Sequence, residues 1–476
     1  MLYEALIERH LSEQKIILTD EKRTYTYAQL HKGAMGFLAY LRQNGVRSGD
    51  RVMIRNRGDG RTTEAILACL AGGMIFVLIS GIHGRAESAD RMKDCAPSLL
   101  LDPHTVNAAD AEAGEQWERA RIPASAGAYI LYTSGSAGRK KGVYACHKQI
   151  IFCCKSILAR LGYRESDKVL CALPLEFDYG LYQIFLSLWS RAQIFLVQTR
   201  MMQMIPRYLH QWEITVYPSV PSVANALLRL GFWERVSLPY LRCITFTGEY
   251  LPVELIRRLR ELFPSVELIP MYGATECKRI AIMPPGREDK LMAGSCGLPL
   301  DGVQVRLLKK NPQDNIGELV VEGPNVMEGY WKEAHGFEKN PQTGMRIYHT
   351  GDLLSMDEEG FLYFYGRING LLKVMGRRIS EAEIENIVKA ADGVVECAAM
   401  GIPDPLYGEK IGICVSVKEK TAEKEIRKIL ADWPEYGNLY ELFLFSDLLP
   451  RNPHGKIDKR KLREMSDEKR SCILWK

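Results

Sequence analysis

The stretch AILACLAGGMIFVLISGI, residues 65–82, decides between a membrane segment and a buried α/β unit. It carries no charge and reaches the ~18 residues at which a span is first considered. Gly72-Gly73 divides it, and the β-branched residues gather mainly in its second half. That pattern predicts a buried helix, a glycine stop and a core strand over Ile75–Ile79. Working outward, Thr26 and Gln29 have capping-box spacing, and Leu30, Ala34, Phe37, Leu38 and Leu41 follow with helical period. Asn44-Gly45 ends that helix, and Arg51–Ile54 reads as a strand. The alternation continues to about residue 270: KVLCALPL (168–175), AQIFLVQ (192–198), ITVYPS (214–219), LRCITFTG (241–248) and VELIPMYG (266–273) read as short core strands between helical stretches. Repeated βα units predict an α/β sheet core.

After about residue 295 the texture changes. VQVRLLKK (303–310), GELVVEG (317–323) and FLYFYGR (361–367) alternate between glycines, as antiparallel strands do. A third texture begins near 370. Ser380 with Glu383 has capping-box spacing before Ile384, Ile387 and Val388; GVVECAAMGI (393–402) and KIGICVSV (410–417) read as strands, and a helix is predicted over 422–432. The expected organisation is a large N-terminal α/β region with a β-rich segment, residues 1–368, and a small C-terminal α+β domain, residues 369–476. No internal repeat is visible.

Composition narrows the function classes. The 476 residues are 46% hydrophobic and 25% charged, and Gly 40 and Pro 22 exclude collagen and low-complexity chains. A net charge of +5 with interspersed signs makes no case for nucleic acid or an anionic membrane. The twelve cysteines include one vicinal pair, Cys153-Cys154, and no CxxC, so neither a disulfide framework nor a zinc site is expected. Reduced, mostly buried thiols fit a cytoplasmic protein. MLYEALIERHLSEQK (1–15) carries charges throughout and lacks a signal-peptide core, and Cys472 does not stand at a prenylation position.

The strongest local chemistry lies in Tyr132-Thr133-Ser134-Gly135-Ser136-Ala137-Gly138-Arg139-Lys140-Lys141-Gly142. Three glycines allow tight turns, three hydroxyls and free N–H groups can face inward, and lysine supplies charge, which are the parts of a phosphate cradle. No Gly-Lys-Ser/Thr follows at Walker spacing, which weakens a phosphotransferase reading. A flexible basic surface turn is the equal competitor from these residues alone.

The motifs downstream shift that balance. With Thr247-Gly248-Glu249, Tyr272-Gly273-Ala274-Thr275-Glu276, Gly317-Glu318-Leu319, Gly329-Tyr330, Tyr348-His349-Thr350-Gly351-Asp352, Gly366-Arg367 and Arg451-Asn452-Pro453-His454-Gly455-Lys456, in that order, the chain resembles the adenylate-forming superfamily of acyl-CoA synthetases, nonribosomal-peptide adenylation domains and luciferases. Ala137 and Lys140 depart from that family's usual threonine and proline. The resemblance implies an enzyme that joins a carboxylate to AMP with release of pyrophosphate, then passes the acyl group to CoA or to the phosphopantetheine arm of a separate carrier protein. ATP and Mg2+ are the implied cofactors.

Residue by residue, the resemblance implies that Thr133, Ser134, Gly135, Ser136, Gly138 and Lys141 cradle phosphate. Gly248, Glu249, Tyr272 and Gly273 would face the nucleotide, with Thr275 donating to phosphate oxygens and Glu276 holding Mg2+ as a hard oxygen ligand. Asp352 would accept from the ribose hydroxyls and Arg367 would add a donor to the same sugar. Lys456, within a basic tail otherwise read as solvated, would offset charge in the adenylation transition state. His147, where the family often has histidine, has a packing or orienting role. Asn369 takes the hinge position, where Asp or Lys is usual, and Glu381 replaces a common proline.

The acid pocket is expected at Phe177 and Asp178. In amino-acid-activating relatives an aspartate here holds the substrate ammonium, which favours an amino acid; a helix N-cap ahead of LYQIFLSLW (181–189) is the bland reading of Asp178. Fatty- or aryl-acid CoA ligases of the same family remain the alternative. So does a non-catalytic nucleotide-binding relative, which the four departures fit and the joint presence of Glu276, Asp352, Arg367 and Lys456 opposes.

Overall fold

The structure is a computed structural model that describes residues 2–80, 85–106, 122–133, 141–198, 202–333, 337–374, 377–404, 408–419, 421–431, 440–452 and 456–471. The chain is mixed α/β and packs as two compact units. The first comprises Met1–Arg306, Val320–Thr350 and Asp357–Leu362; the second comprises Leu307–Leu319, Gly351–Met356 and Tyr363–Lys476.

The 65–82 stretch folds as its glycines dictate. The helix Gly60–Gly72 stops at Gly73, whose φ of 73° is left-handed, and its N–H closes on Cys69 O; the strand Ile75–Ser80 follows. A side chain at that φ would be strained, so the stop is local chemistry. Among the described residues no helix is long and apolar enough to cross a membrane. Upstream, Thr26 and Gln29 form both bonds of a capping box at the start of the helix Tyr27–Gln43.

Two sheets organise the first unit. The nine-stranded sheet has the order Leu298–Pro299, Lys278–Ile282, Glu267–Ala274, Cys243–Phe246, Val216–Ser219, Lys168–Cys171, Gln193–Leu196, Ile16–Thr19 and Thr24–Thr26. From Glu267–Ala274 to Ile16–Thr19 the neighbours are parallel, and the strands beyond either end are antiparallel. Each of the five strands expected between residues 168 and 273 is present, and their almost continuous burial reflects a sheet covered on both faces. The six-stranded sheet runs Gly329–Tyr330, Lys141–Cys146, Gly127–Thr133, Ile75–Ser80, Arg51–Asn56, Leu99–Leu101.

The β-rich texture is also found, with strands at Gln304–Leu308, Ile316–Glu322, Arg346–Met356 and Leu362–Arg367. In the second unit, Val394–Asp404, Gly408–Val417 and Tyr440–Phe445 form a three-stranded sheet. Alternate residues of its strands enter two clusters. Cys397, Ala399, Ile411 and Ile413 pack with Ile384, Val388, Ile426 and Leu430, whereas Ala398, Met400 and Cys414 pack with Phe443 and Leu462. The helices Glu381–Lys389 and Ala422–Ala431 thus share one cluster, and Lys459–Ser471 contributes Leu462 to the other.

One expectation is corrected. Ser380 does precede the helix Glu381–Lys389, but it makes no capping bond; its hydroxyl donates to Tyr365 O at 2.5 Å. A strand-end carbonyl has taken the hydroxyl that the sequence pattern assigned to the helix. Glu381, the departure from proline, instead pairs with Lys459 at 2.7 Å, which Glu385 also meets at 2.7 Å.

Candidate active site

Tyr272 to Glu276 lie where the strand Glu267–Ala274 turns into the antiparallel strand Lys278–Ile282. Gly273 is required by contact distance, since a Cβ there would stand 1.7 Å from Lys278 O. Thr275 and Glu276 occupy the turn, Thr275 half-buried and Glu276 buried. The Tyr330 hydroxyl donates to Glu276 Oε1 at 2.9 Å. Burial, and then the Glu276 charge, hold the Tyr330 phenol above its ordinary pKa, so it stays a donor.

Tyr330 is placed by pairing of Gly329–Tyr330 with Lys141–Cys146, in register with Val143. Lys141 Nζ sits 4.5 Å from the centre of the Tyr330 ring and 3.5 Å from Glu333. Thr133 ends the neighbouring strand, its hydroxyl 3.5 Å from Lys141 O. The strands that flank residues 134–140 and the Glu276 turn therefore meet through one tyrosine. Ser134, Gly135, Ser136, Ala137, Gly138, Arg139 and Lys140 lie outside the described residues, as do Pro453, His454 and Gly455.

Gly248 has a left-handed φ of 88°, and the Glu249 carboxylate accepts from Ser222 N and Ser222 Oγ, both at 2.9 Å, at the start of the helix Pro221–Arg229. His147 opens the helix His147–Leu161 as a buried residue with neither ring nitrogen hydrogen-bonded among the described residues. That placement is the packing role expected of it.

In the second unit, Arg367 Nε stands 2.9 Å from Asp352 Oδ1, with the aspartate buried and the arginine exposed. Glu318 accepts from Gly351 N at 3.1 Å, so Gly317-Glu318-Leu319 shapes the turn that presents Asp352. Lys456 is exposed on a turn closed by Asn452 N to Lys456 O at 2.8 Å, next to the bridge between Arg451 and Ile457. Asn369 lies in the short 3-10 helix Ile368–Gly370.

Phe177 is the N-cap of the helix Asp178–Ser190, without a side-chain cap bond, and Asp178 is the first helical residue. The cap reading of Asp178 is thereby set aside. Asp178 Oδ2 instead stands 3.4 Å from Arg279 Nη1, and both side chains line the same cavity. One face of that helix, including Tyr179, Tyr182 and Leu186, supplies much of the wall, and Met271, Lys278 and Arg279 supply another part. The Tyr179 hydroxyl, 2.7 Å from Thr245 Oγ1, ties the helix to the strand Cys243–Phe246.

Three contributors were not singled out by sequence reasoning. Tyr330 was quoted within Gly329-Tyr330 without a role, and Lys278 and Arg279 were not noted. Their signal was available: two cations open a strand whose remaining residues, Ile280-Ala281-Ile282, are apolar, and all five residues are buried.

Comparison with known proteins is extensive. Residues 7–331 match the family model described as AMP-binding enzyme, and residues 383–456 match the AMP-binding enzyme C-terminal domain. The chain is 28% identical over 476 residues to the 2-succinylbenzoate–CoA ligase of Bacillus subtilis (strain 168), covering 95% of this chain and 96% of that protein. It is 27% identical over 477 residues to the L-proline–[L-prolyl-carrier protein] ligase of Pseudomonas fluorescens, covering 93% of this chain and 94% of that one. Among solved structures, VinN in complex with L-aspartate is 30% identical, with a TM-score of 0.69 over 77% of this chain and 98% of the other.

Proposed function

The chain belongs to the AMP-binding enzymes, a family of adenylate-forming ligases, and from that premise we propose that it activates a small carboxylic acid as an acyl-adenylate, using ATP and releasing pyrophosphate, and then loads the acyl group onto CoA or a carrier-protein phosphopantetheine. The observation that supports this reading is that one hairpin joins the Glu276 turn to the cavity wall beside Asp178. Its turn holds Glu276, and the two residues that open its second strand, Lys278 and Arg279, line the cavity beside Asp178.

Glu276 fits Mg2+ chemically. It is a hard oxygen donor whose Oε1 is held by Tyr330, and among the described residues no group of three or more metal-binding side chains exists. A cation held through one carboxylate and substrate phosphates needs no such cage. Bound there, Mg2+ would neutralise phosphate charge. Thr133, Thr275 and Lys141, with Ser134, Gly135, Ser136 and Gly138, would hold the phosphates. Gly248, Glu249, Tyr272 and Gly273 would border the base, and Asp352 with Arg367 the ribose. Lys456 would place an ammonium against the charge that develops as the carboxylate attacks the α-phosphate. The division at residues 368 and 369, with Asn369 as hinge, would let the small domain serve two half-reactions.

Of the acids, an amino acid is favoured by Asp178, which lines the cavity, whose side chain is 19% exposed and whose Oδ1 takes no hydrogen bond among the described residues. The relatives include an L-prolyl-carrier ligase and a protein solved with L-aspartate. A fatty or aryl acid passed to CoA is the second reading, supported by the 2-succinylbenzoate–CoA ligase relative.

The test is ATP–pyrophosphate exchange against amino acids and their desamino counterparts, with wild type and Asp178→Asn. An amine anchor predicts a loss of about 3–5 kcal/mol of specificity toward amino acids and a far smaller loss toward the desamino acids. An unchanged preference removes the amino acid and leaves the fatty or aryl acid. Absence of exchange with every acid removes the ligase.

A further inference from the structure

Lys278 is the first residue of its strand and 1% exposed, yet its Nζ has no hydrogen-bond partner among the described residues. The ammonium lies between two aromatic rings, 4.9 Å from the centre of Tyr129 and 5.1 Å from that of Tyr182. Ring faces attract a cation but do not replace the hydrogen bonds lost from water. The backbone adds to the cost, because Lys278 has a φ of 56°, a left-handed conformation that a lysine rarely adopts.

Arg279, next along the chain, is also buried, with its guanidinium 4.9 Å from the Tyr179 ring centre. Its single ion pair among the described residues, to Asp178, is long at 3.4 Å and lacks the bidentate geometry that a guanidinium can make. Lys278, Arg279 and Asp178 line the same cavity. Two basic side chains and one carboxylate thus share the wall of one cavity. A buried ammonium without a partner is costly, and an anion arriving in that cavity would supply the missing one.

Resting on the ligase reading above, we propose that the acid activated by this protein is a dicarboxylic acid: one carboxyl is adenylated, and the second pairs with Lys278 Nζ and the Arg279 guanidinium. The class includes diacids with an amine, since Asp178 Oδ1 takes no hydrogen bond among the described residues. The tyrosine rings beside the ammonium exclude the water that would otherwise screen the pair.

The experiment measures kcat/KM for ATP–pyrophosphate exchange with malonate, succinate, glutarate and L-aspartate, each against its half-amide, L-asparagine serving for L-aspartate. Wild type is expected to prefer at least one diacid over its half-amide by roughly 30-fold or more, the scale of losing one partner of a buried charge pair. Lys278→Met, which keeps the length and removes the charge, should bring that ratio to within about 3-fold of one. Thermal unfolding of the same variant separates binding from folding, because an unpartnered ammonium predicts a melting temperature no lower than wild type. Exchange with monocarboxylates alone, or a ratio that survives Lys278→Met in a folded protein, overturns the dicarboxylate and leaves the ligase standing. Exchange with no acid, over these pairs and a wider panel of fatty, aryl and amino acids, overturns both.

Discussion

The Tyr330 hydroxyl donates to Glu276 Oε1 at 2.9 Å, across 54 residues of sequence. Lys141, which opens the strand after residues 134–140, rests on the same phenol ring. Tyr330 is therefore a positioning residue for the carboxylate proposed to hold Mg2+. Tyr330→Phe removes a hydrogen bond to a charged group, which is worth about 1.5–3 kcal/mol. Pyrophosphate exchange should fall roughly 10–100-fold, and the Mg2+ concentration needed for half-maximal rate should rise. A merely structural tyrosine would leave that Mg2+ midpoint where it is in wild type.

Gly273 is the glycine of Tyr272-Gly273-Ala274-Thr275-Glu276, and its Cα faces Lys278 O so closely that no Cβ fits. Gly273→Ala should destabilise the protein by at least about 2 kcal/mol, because the obstacle is backbone and cannot rotate away. Urea unfolding measures this. A variant as stable as wild type, with exchange activity intact, would show that the hairpin does not make this close approach.

His147 carries a pH dependence of definite sign. Burial pushes its imidazole down to about 4 from an ordinary 6.5, so the folded chain binds that proton less readily than the unfolded chain. Its contribution to stability is complete above pH 6.5 and is lost as the pH falls towards 4. Between about pH 7.5 and pH 5 the wild type should lose about 2 kcal/mol through this residue. His147→Gln cannot protonate and should flatten that part of the profile in urea unfolding at the two pH values. Parallel profiles would refute the assignment.

Lys456, proposed to meet the substrate, is exposed on its turn. Lys456→Ala should slow adenylation roughly 10²–10³-fold, by analogy with deletion of one preorganised donor. Acyl transfer from preformed adenylate should suffer much less. Equal loss in both steps, or none in the first, contradicts the role.

Asn369 sits in the 3-10 turn Ile368–Gly370, between the strands Leu362–Arg367 and Leu371–Val374. Asn369→Pro fixes φ there and should change adenylation and thioester formation unequally if the small domain reorients about this residue. Rates of the two half-reactions, measured separately, decide it; matching changes place the hinge elsewhere.

By itself, the amino-acid sequence determined what depends on neighbours along the chain. Gly73 stops a helix because its φ is left-handed, and Thr26 caps the next turn's amides with a side chain three residues away. The core strands were legible because a strand covered on both faces is apolar throughout. The order of short motifs identified the family, and with it Glu276, Asp352 and Arg367 as candidate site residues. The meeting of Asp352 with Arg367 is local enough to have been anticipated, while Asp178 with Arg279 was not, since 101 residues separate them. Only tertiary structure decided that Asp178 faces an arginine rather than capping its helix, that Ser380 gives its hydroxyl to Tyr365, and that Tyr330 reaches Glu276. It also decided that Lys278, a residue whose type belongs at the surface, lies buried against two tyrosines. The reason is that a side chain's partners across a sheet depend on strand order and register, and the packing of the whole chain selects both.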